Sequence, residues 1–156
     1  MSLRAIPLLV IALIVYNALV LMSGTNPEEI FYGRPVLDAT TNQVISSGAT
    51  LFEIPMPNGG TWTFHLGDLI MLFGLILLAC EVVKATYTRG AGLADQAFST
   101  ILFVIFLIEF LLVEKASTSL FFFLTLMAGF DVIVGSIVGI RTARRDIGFS
   151  PGGGEH

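Results

Sequence analysis

Apolar residues in this chain come in long blocks separated by short polar stretches. Residues 5–23 hold no charge and follow Arg4. Residues 66–85 form a second block that includes Gly74, Cys80, Glu81 and Lys84, and residues 93–113 a third that includes Glu109. Residues 117–140 form a fourth, with Asp131 as its acid. Each approaches the ~20 residues that a helix needs to cross a hydrocarbon core of ~30 Å. Within such blocks lipid-facing and buried faces are both apolar, so length and flanks decide the assignment, not periodicity. The pattern predicts an all-α integral membrane protein with four transmembrane helices. A secretory signal peptide is the competing reading of the first block, but its apolar core would be about 7–15 residues long and end at a small-residue cleavage site. Leu21-Met-Ser-Gly24 fits that site poorly.

Residues 24–65 separate the first two blocks. A connection of about forty residues without structure or function of its own is uncommon. Here the pattern changes period. Phe52, Ile54 and Met56 alternate with Leu51, Glu53 and Pro55, and Trp62, Phe64 and Leu66 alternate with Thr61, Thr63 and His65. Between them stands Pro57-Asn58-Gly59-Gly60, so residues 51–66 read as a β-hairpin. A loop of Asn58 to Gly60 would pair Met56 with Trp62, Ile54 with Phe64 and Phe52 with Leu66, collecting the apolar side chains on one face. Pro35-Val-Leu and Gln43-Val-Ile are candidates for short additional strands. An isolated hairpin is marginal and must lay its apolar face on something. Trp62 and Phe64 could anchor it in the membrane interface as an aromatic belt. The same face could instead dock a partner protein.

Composition agrees with the block pattern. Of 156 residues 54% are hydrophobic and 13% charged, and mean hydropathy is +0.85. A soluble domain carries about 25% charged residues. A net charge of −4 with no basic stripe excludes nucleic acid as a partner. Cys80 is the single cysteine and cannot form an internal disulfide.

Four spans put Arg4, Lys84, Arg89, Arg141, Arg144 and Arg145 on one side, six of the eight basic residues. The positive-inside rule then places both termini in the cytoplasm and the hairpin outside. A bacterial inner membrane is the expected setting. Residues 141–156 read as a cytoplasmic tail with a flexible Gly-rich end.

Acids within the blocks are the candidate chemistry, because a charged side chain in a lipid-exposed helix needs a partner or a proton. Lys84 follows Glu81 by three residues and can pair with it. At 1.5 Å per residue, Glu81 and Asp131 come to similar depths on the cytoplasmic side of the midplane, while Glu109 falls near Asn17 in the outer half. At 100° per residue Ala128, Asp131, Gly135 and Gly139 share a sector of roughly 80°, so the fourth helix hides its acid on its smallest face. That face predicts close contact with another helix.

Several enzyme classes lack their parts. No Cys-x-x-Cys, phosphate loop or metal-ligand cluster is present, and the two histidines, His65 and His156, lie outside the apolar blocks. No cofactor is expected. The reading is a non-enzymatic accessory subunit or assembly factor of a larger membrane complex. Its contacts would be membrane lipid and other membrane subunits or a second copy, met through the fourth helix and through Phe52, Ile54, Met56, Trp62 and Phe64. The alternative is a proton- or cation-coupled transport component built on Glu81, Glu109 and Asp131.

Overall fold

The computed structural model describes residues 6–24, 26–33, 36–37, 44–45, 49–87 and 93–147. Arg4, Arg34, Arg89, Pro35, Gln43 and the end of the tail from residue 148 lie outside them. Among the described residues the chain forms α1 (Leu9–Ser23), α2 (Pro27–Tyr32), β1 (Val36–Leu37), β2 (Val44–Ile45), β3 (Thr50–Pro55), β4 (Thr61–His65), α3 (Leu66–Tyr87), α4 (Leu93–Leu112), a 3-10 turn at Glu114–Ala116, and α5 (Ser119–Ile147).

Three stretches are long and apolar enough to cross a membrane: Leu66–Ala85, Asp95–Leu112 and Ser119–Ile140. The first apolar block differs from its expectation, with α1 helical over 15 residues, Leu9–Ser23. Its helix opens late because Pro7 and Leu8 carbonyls accept from Val10 and Ile11 in tight i→i+3 bonds before the regular ladder begins. Gly24 ends it in the left-handed conformation, φ +64°, which a side chain would resist. At the other end of the chain, α5 continues seven residues past Ile140, so the expected flexible tail is helical through Ile147.

Local chemistry explains the remaining helix starts. Asp68 in the first turn of α3 accepts the His65 backbone N–H at 2.9 Å, which fixes the strand-to-helix corner. Thr118 precedes α5 and its hydroxyl accepts the Phe121 N–H at 3.2 Å, filling the N-cap role.

The hairpin forms, with a corrected register. Ile54 pairs with Trp62 and Phe52 with Phe64, two residues away from the expected pairing. The loop is Pro57–Gly59. Gly59 N–H closes a turn on the Met56 carbonyl at 3.0 Å, and Met56 N–H returns to the Gly60 carbonyl at 2.8 Å. Proline suits the second position of such a turn, and Gly59 at φ +82°, in place of Gly60, takes the left-handed position. A shift of two preserves every side chain's face, so the apolar face survives the correction. Leu51 is an extra residue between the Thr50–His65 and Phe52–Phe64 pairs. The short strands β1 and β2 also pair, Val36 with Ile45 and Leu37 with Val44.

α5 runs antiparallel to α4, with Gln96 on Ser136 and Phe110 on Phe122, and parallel to α3, with Gly74 on Leu124 and Glu81 near Asp131. α1 packs against both α3 and α5. The best-packed region is at the hairpin end of this bundle. Tyr16 stacks on Phe31 at 5.1 Å and leans on Phe121 at 4.7 Å, and Phe121 meets Phe106 at 5.4 Å. The same buried cluster includes Ala12, Leu120 and Leu124 and extends through Leu9 toward the other end of the bundle. Gly74 on α3 allows Leu124 to pack so close that a Cβ there would sit 2.6 Å from its methyl carbon. The outward surface remains apolar, with Ile14, Leu75, Ile101, Leu111, Phe130 and Ile140 all more than half exposed.

Candidate functional site

The polar residues of the apolar helices assemble into two layers. The layer nearer the C-terminal end of α3 is centred on Glu81, which is 7% exposed. Lys84, one turn along α3, donates to Glu81 Oε1 at 2.9 Å. Glu81 Oε2 accepts the backbone N–H of Leu8 from the start of α1. The first N–H groups of a helix have no partner within it, and one carboxylate on α3 supplies that partner here. Asp131 on α5 is equally buried; Ser99 on α4 hydrogen-bonds its carboxylate, and the charges of Glu81 and Lys84 act on it from α3.

One turn further along α5, Gln96 of α4 donates to the Val132 carbonyl at 3.1 Å and bonds the Ser136 hydroxyl at 3.0 Å. Gly135 makes room for this crossing, since a Cβ there would meet Gln96 Oε1 at 2.5 Å. The small face of α5 is therefore filled by α4 of the same chain. Ala128 is buried, Asp131 meets Ser99 and Gly135 meets Gln96. Gly139 differs: a Cβ added there would meet nothing within 4 Å.

The second layer lies at the hairpin end. Tyr16 donates its hydroxyl to the Lys115 carbonyl at 2.9 Å and shares a 3.0 Å bond with the Thr118 hydroxyl. Glu109 stands near enough for its charge to act on that phenol. Asn17 does not meet Glu109; its amide turns back to the Leu13 carbonyl at 3.2 Å. The two residues match in depth but differ in direction around their helices. Ten residues, about 15 Å of helix, separate Glu109 from Ser99, so Glu109 stands apart from the Glu81–Asp131 layer. An open cleft of about 420 Å³ lies beside the Tyr16 layer, with Glu28, Glu29, Glu114 and Lys115 on its walls. Among the described residues no group of three His, Cys, Asp or Glu side chains is arranged to hold a metal ion.

The hairpin carries the third set of sequence-predicted residues. Phe52 stacks on Phe64 at 4.7 Å, and Trp62 sets its edge against both rings at 6.3 and 5.7 Å. Phe52, Ile54, Met56 and Trp62 are each between 41% and 47% exposed, so the chain itself does not cover this face. His65, on the opposite face, approaches Tyr32 of α2, whose ring lies on Gly67. Burial, and after it the Asp68 carboxylate, hold the Tyr32 phenol above its usual range.

A scan of protein-family models and searches of curated proteins and of solved structures find no match to this chain. Its own geometry therefore carries the functional argument. Gln96, Ser99, Ser136, Tyr16 and Thr118 were not singled out from the sequence. Gln96 and Ser99 did leave a signal: their i,i+3 spacing puts two polar groups on one helix face, matching Ser136 and Asp131 on the antiparallel partner. Chemically, the arrangement can fasten four helices to one another. Glu81 ties α3 to the start of α1, Gln96 and Ser99 tie α4 to α5, and Tyr16 ties α1 to the turn before α5.

Proposed function

We propose that the chain is an integral membrane protein with four transmembrane helices and both termini in the cytoplasm, acting as a non-enzymatic accessory subunit of a larger membrane complex. The observation that carries this reading is the closure of the intrahelical polar groups on one another. Glu81, paired with Lys84 on α3, bonds the start of α1, and Asp131, Ser99, Gln96 and Ser136 bond α5 to α4, so their output is a fixed helix arrangement. The apolar exterior supports insertion, because in water such a surface would drive association. Gly139 on α5, open to a close helix approach, and the external segment outside its aromatic face are the surfaces left for partner subunits. Extraction in mild detergent, native electrophoresis and mass spectrometry of the band test the reading. A second polypeptide of fixed stoichiometry is expected. A lone monomer overturns the proposal.

One observation favours a second reading. Glu81 and Asp131, on neighbouring helices, are buried close enough to interact, as the acids of a proton- or cation-coupled transport component would be. Glu109 has no place in it. Flux into liposomes, compared between the native chain and Asp131→Asn, decides: a flux lost in the variant supports transport, and equal flux in both or none in either removes it.

A further inference from the structure

We infer that the aromatic face of the β3–β4 hairpin lies on the lipid surface, seated in the headgroup layer beside the outer end of α3. This rests on the membrane insertion proposed above but not on the accessory role.

The hairpin is attached directly to the helix. β4 ends at His65 and α3 begins at Leu66, so no linker separates the hairpin from the helix. The other strand is tied to the same point, since Leu66 N–H donates to the Ala49 carbonyl at 3.0 Å, immediately before β3. Asp68 then braces the corner from the helix side. Both strands are rooted where the apolar helix starts. At about 3.3 Å per residue, Phe64 lies within roughly 7 Å of Leu66 and Trp62 within roughly 13 Å. The interfacial layer is about 5–7 Å deep on each side, so Phe64 falls inside it at any tilt, and Trp62 does so when the hairpin leans over.

The two faces of the hairpin differ in chemistry. Phe52, Ile54, Met56, Trp62 and Phe64 form one face without a charge, rich in the aromatic residues that the membrane interface selects. The opposite face carries Glu53, Thr61 and Thr63, and its His65 already packs toward Tyr32 of this chain. The aromatic side is thus turned away from the chain's own outer cap. With no cation on that face, insertion relies on apolar burial and calls for a neutral headgroup surface.

Trp62 is the only tryptophan, so its fluorescence reads this face without labelling. The experiment reconstitutes the purified full chain, alone, into phosphatidylcholine vesicles, with and without lipids brominated near the top of the acyl chain. Expected is emission to the blue of a water-exposed indole, strong quenching by the brominated lipid and little by aqueous iodide. A Trp62→Phe/Thr61→Trp variant moves the reporter to the opposite face and should reverse both sensitivities. A Phe52→Ser/Ile54→Ser variant, which keeps Trp62, should lose at least half of the lipid quenching. If Trp62 is open to iodide and silent to brominated lipid, the face is free for a protein partner and the inference fails. Protection from iodide without lipid quenching assigns the face to a second copy and equally overturns it. Failure of the chain to insert at all would show as both reporters being iodide-sensitive with no helix protected from proteolysis, and would refute membrane insertion itself.

Discussion

Glu81 shows how one side chain can hold several elements. One oxygen accepts from Lys84 and the other from the Leu8 N–H, so its loss takes an acceptor from an ammonium and from a helix-start donor at once. Removing one member of a buried ion pair costs about 3–5 kcal/mol. The Lys84 side chain is 28% exposed and can swing outward, which lowers the expected loss toward the bottom of that range. Glu81→Gln keeps an oxygen for Leu8, so it should cost less than half as much as Glu81→Ala in denaturant unfolding of the detergent-solubilised protein. Equal losses would mean that charge, not the helix cap, is what Glu81 supplies. Tyr32 sets a pH dependence at the other end of the molecule. Its phenol is held above the ordinary value of 10.0, first by burial and then by Asp68. The folded form therefore keeps a proton that the unfolded chain has already lost. The contribution to stability is complete below pH ~10 and disappears as pH rises through the folded value. The unfolding midpoint should fall in that alkaline window, and Tyr32→Phe should flatten that fall.

Between elements, the glycines separate contacts made within the chain from surface left open. A Cβ on Gly74 would press on Leu124, which is fully buried and has nowhere to go. Gly74→Ala should destabilise by about 1–3 kcal/mol, the usual cost of overpacking. Gly139→Ala, with open space around it, should cost nothing and gain up to about 1 kcal/mol from helix propensity, and unfolding curves of the two variants side by side make the comparison. This contrast also marks what could be read in advance. Helical spacing alone placed Ala128, Asp131, Gly135 and Gly139 on one face of α5, and the three that pack do so together. It could not name α4 as their neighbour, because periodicity describes one helix and the register between two is set by shape. Gln96 and Ser99 begin an apolar block, where polar residues ordinarily look like solvent-facing ends. Depth put Glu81 near Asp131, whose charges interact, and gave Glu109 the level of Asn17, whose amide turns to Leu13 instead, since depth leaves the direction around the helix unspecified. The hairpin followed the same rule. Alternation fixed which side chains share a face, and only the turn geometry at Pro57–Gly59 fixed the pairing.

At the scale of the whole molecule, the number of crossings depends on α1. Its 15 helical residues span about 22 Å, against about 33 Å for the 22 of α3. It begins at the level of Glu81, six residues or about 9 Å before α3 ends, and Tyr16 at its middle already reaches the turn between α4 and α5. α1 thus runs from near one end of the bundle to the other, so the segment before Leu9 should emerge on the same side as the C-terminal end of α5. In the topology proposed above, the positive-inside rule predicts that this side is the cytoplasm. Introducing Ser2→Cys, Asn58→Cys or His156→Cys one at a time into a Cys80→Ser background tests this with a membrane-impermeant thiol reagent on intact cells. Asn58→Cys, at the hairpin tip, should react at once, and the other two only after permeabilisation. Reaction of Ser2→Cys together with Asn58→Cys would leave three crossings. It would also require the Leu8–Glu81 bond to be reached by a chain that enters and leaves on the outer face, which the direction of α1 does not allow.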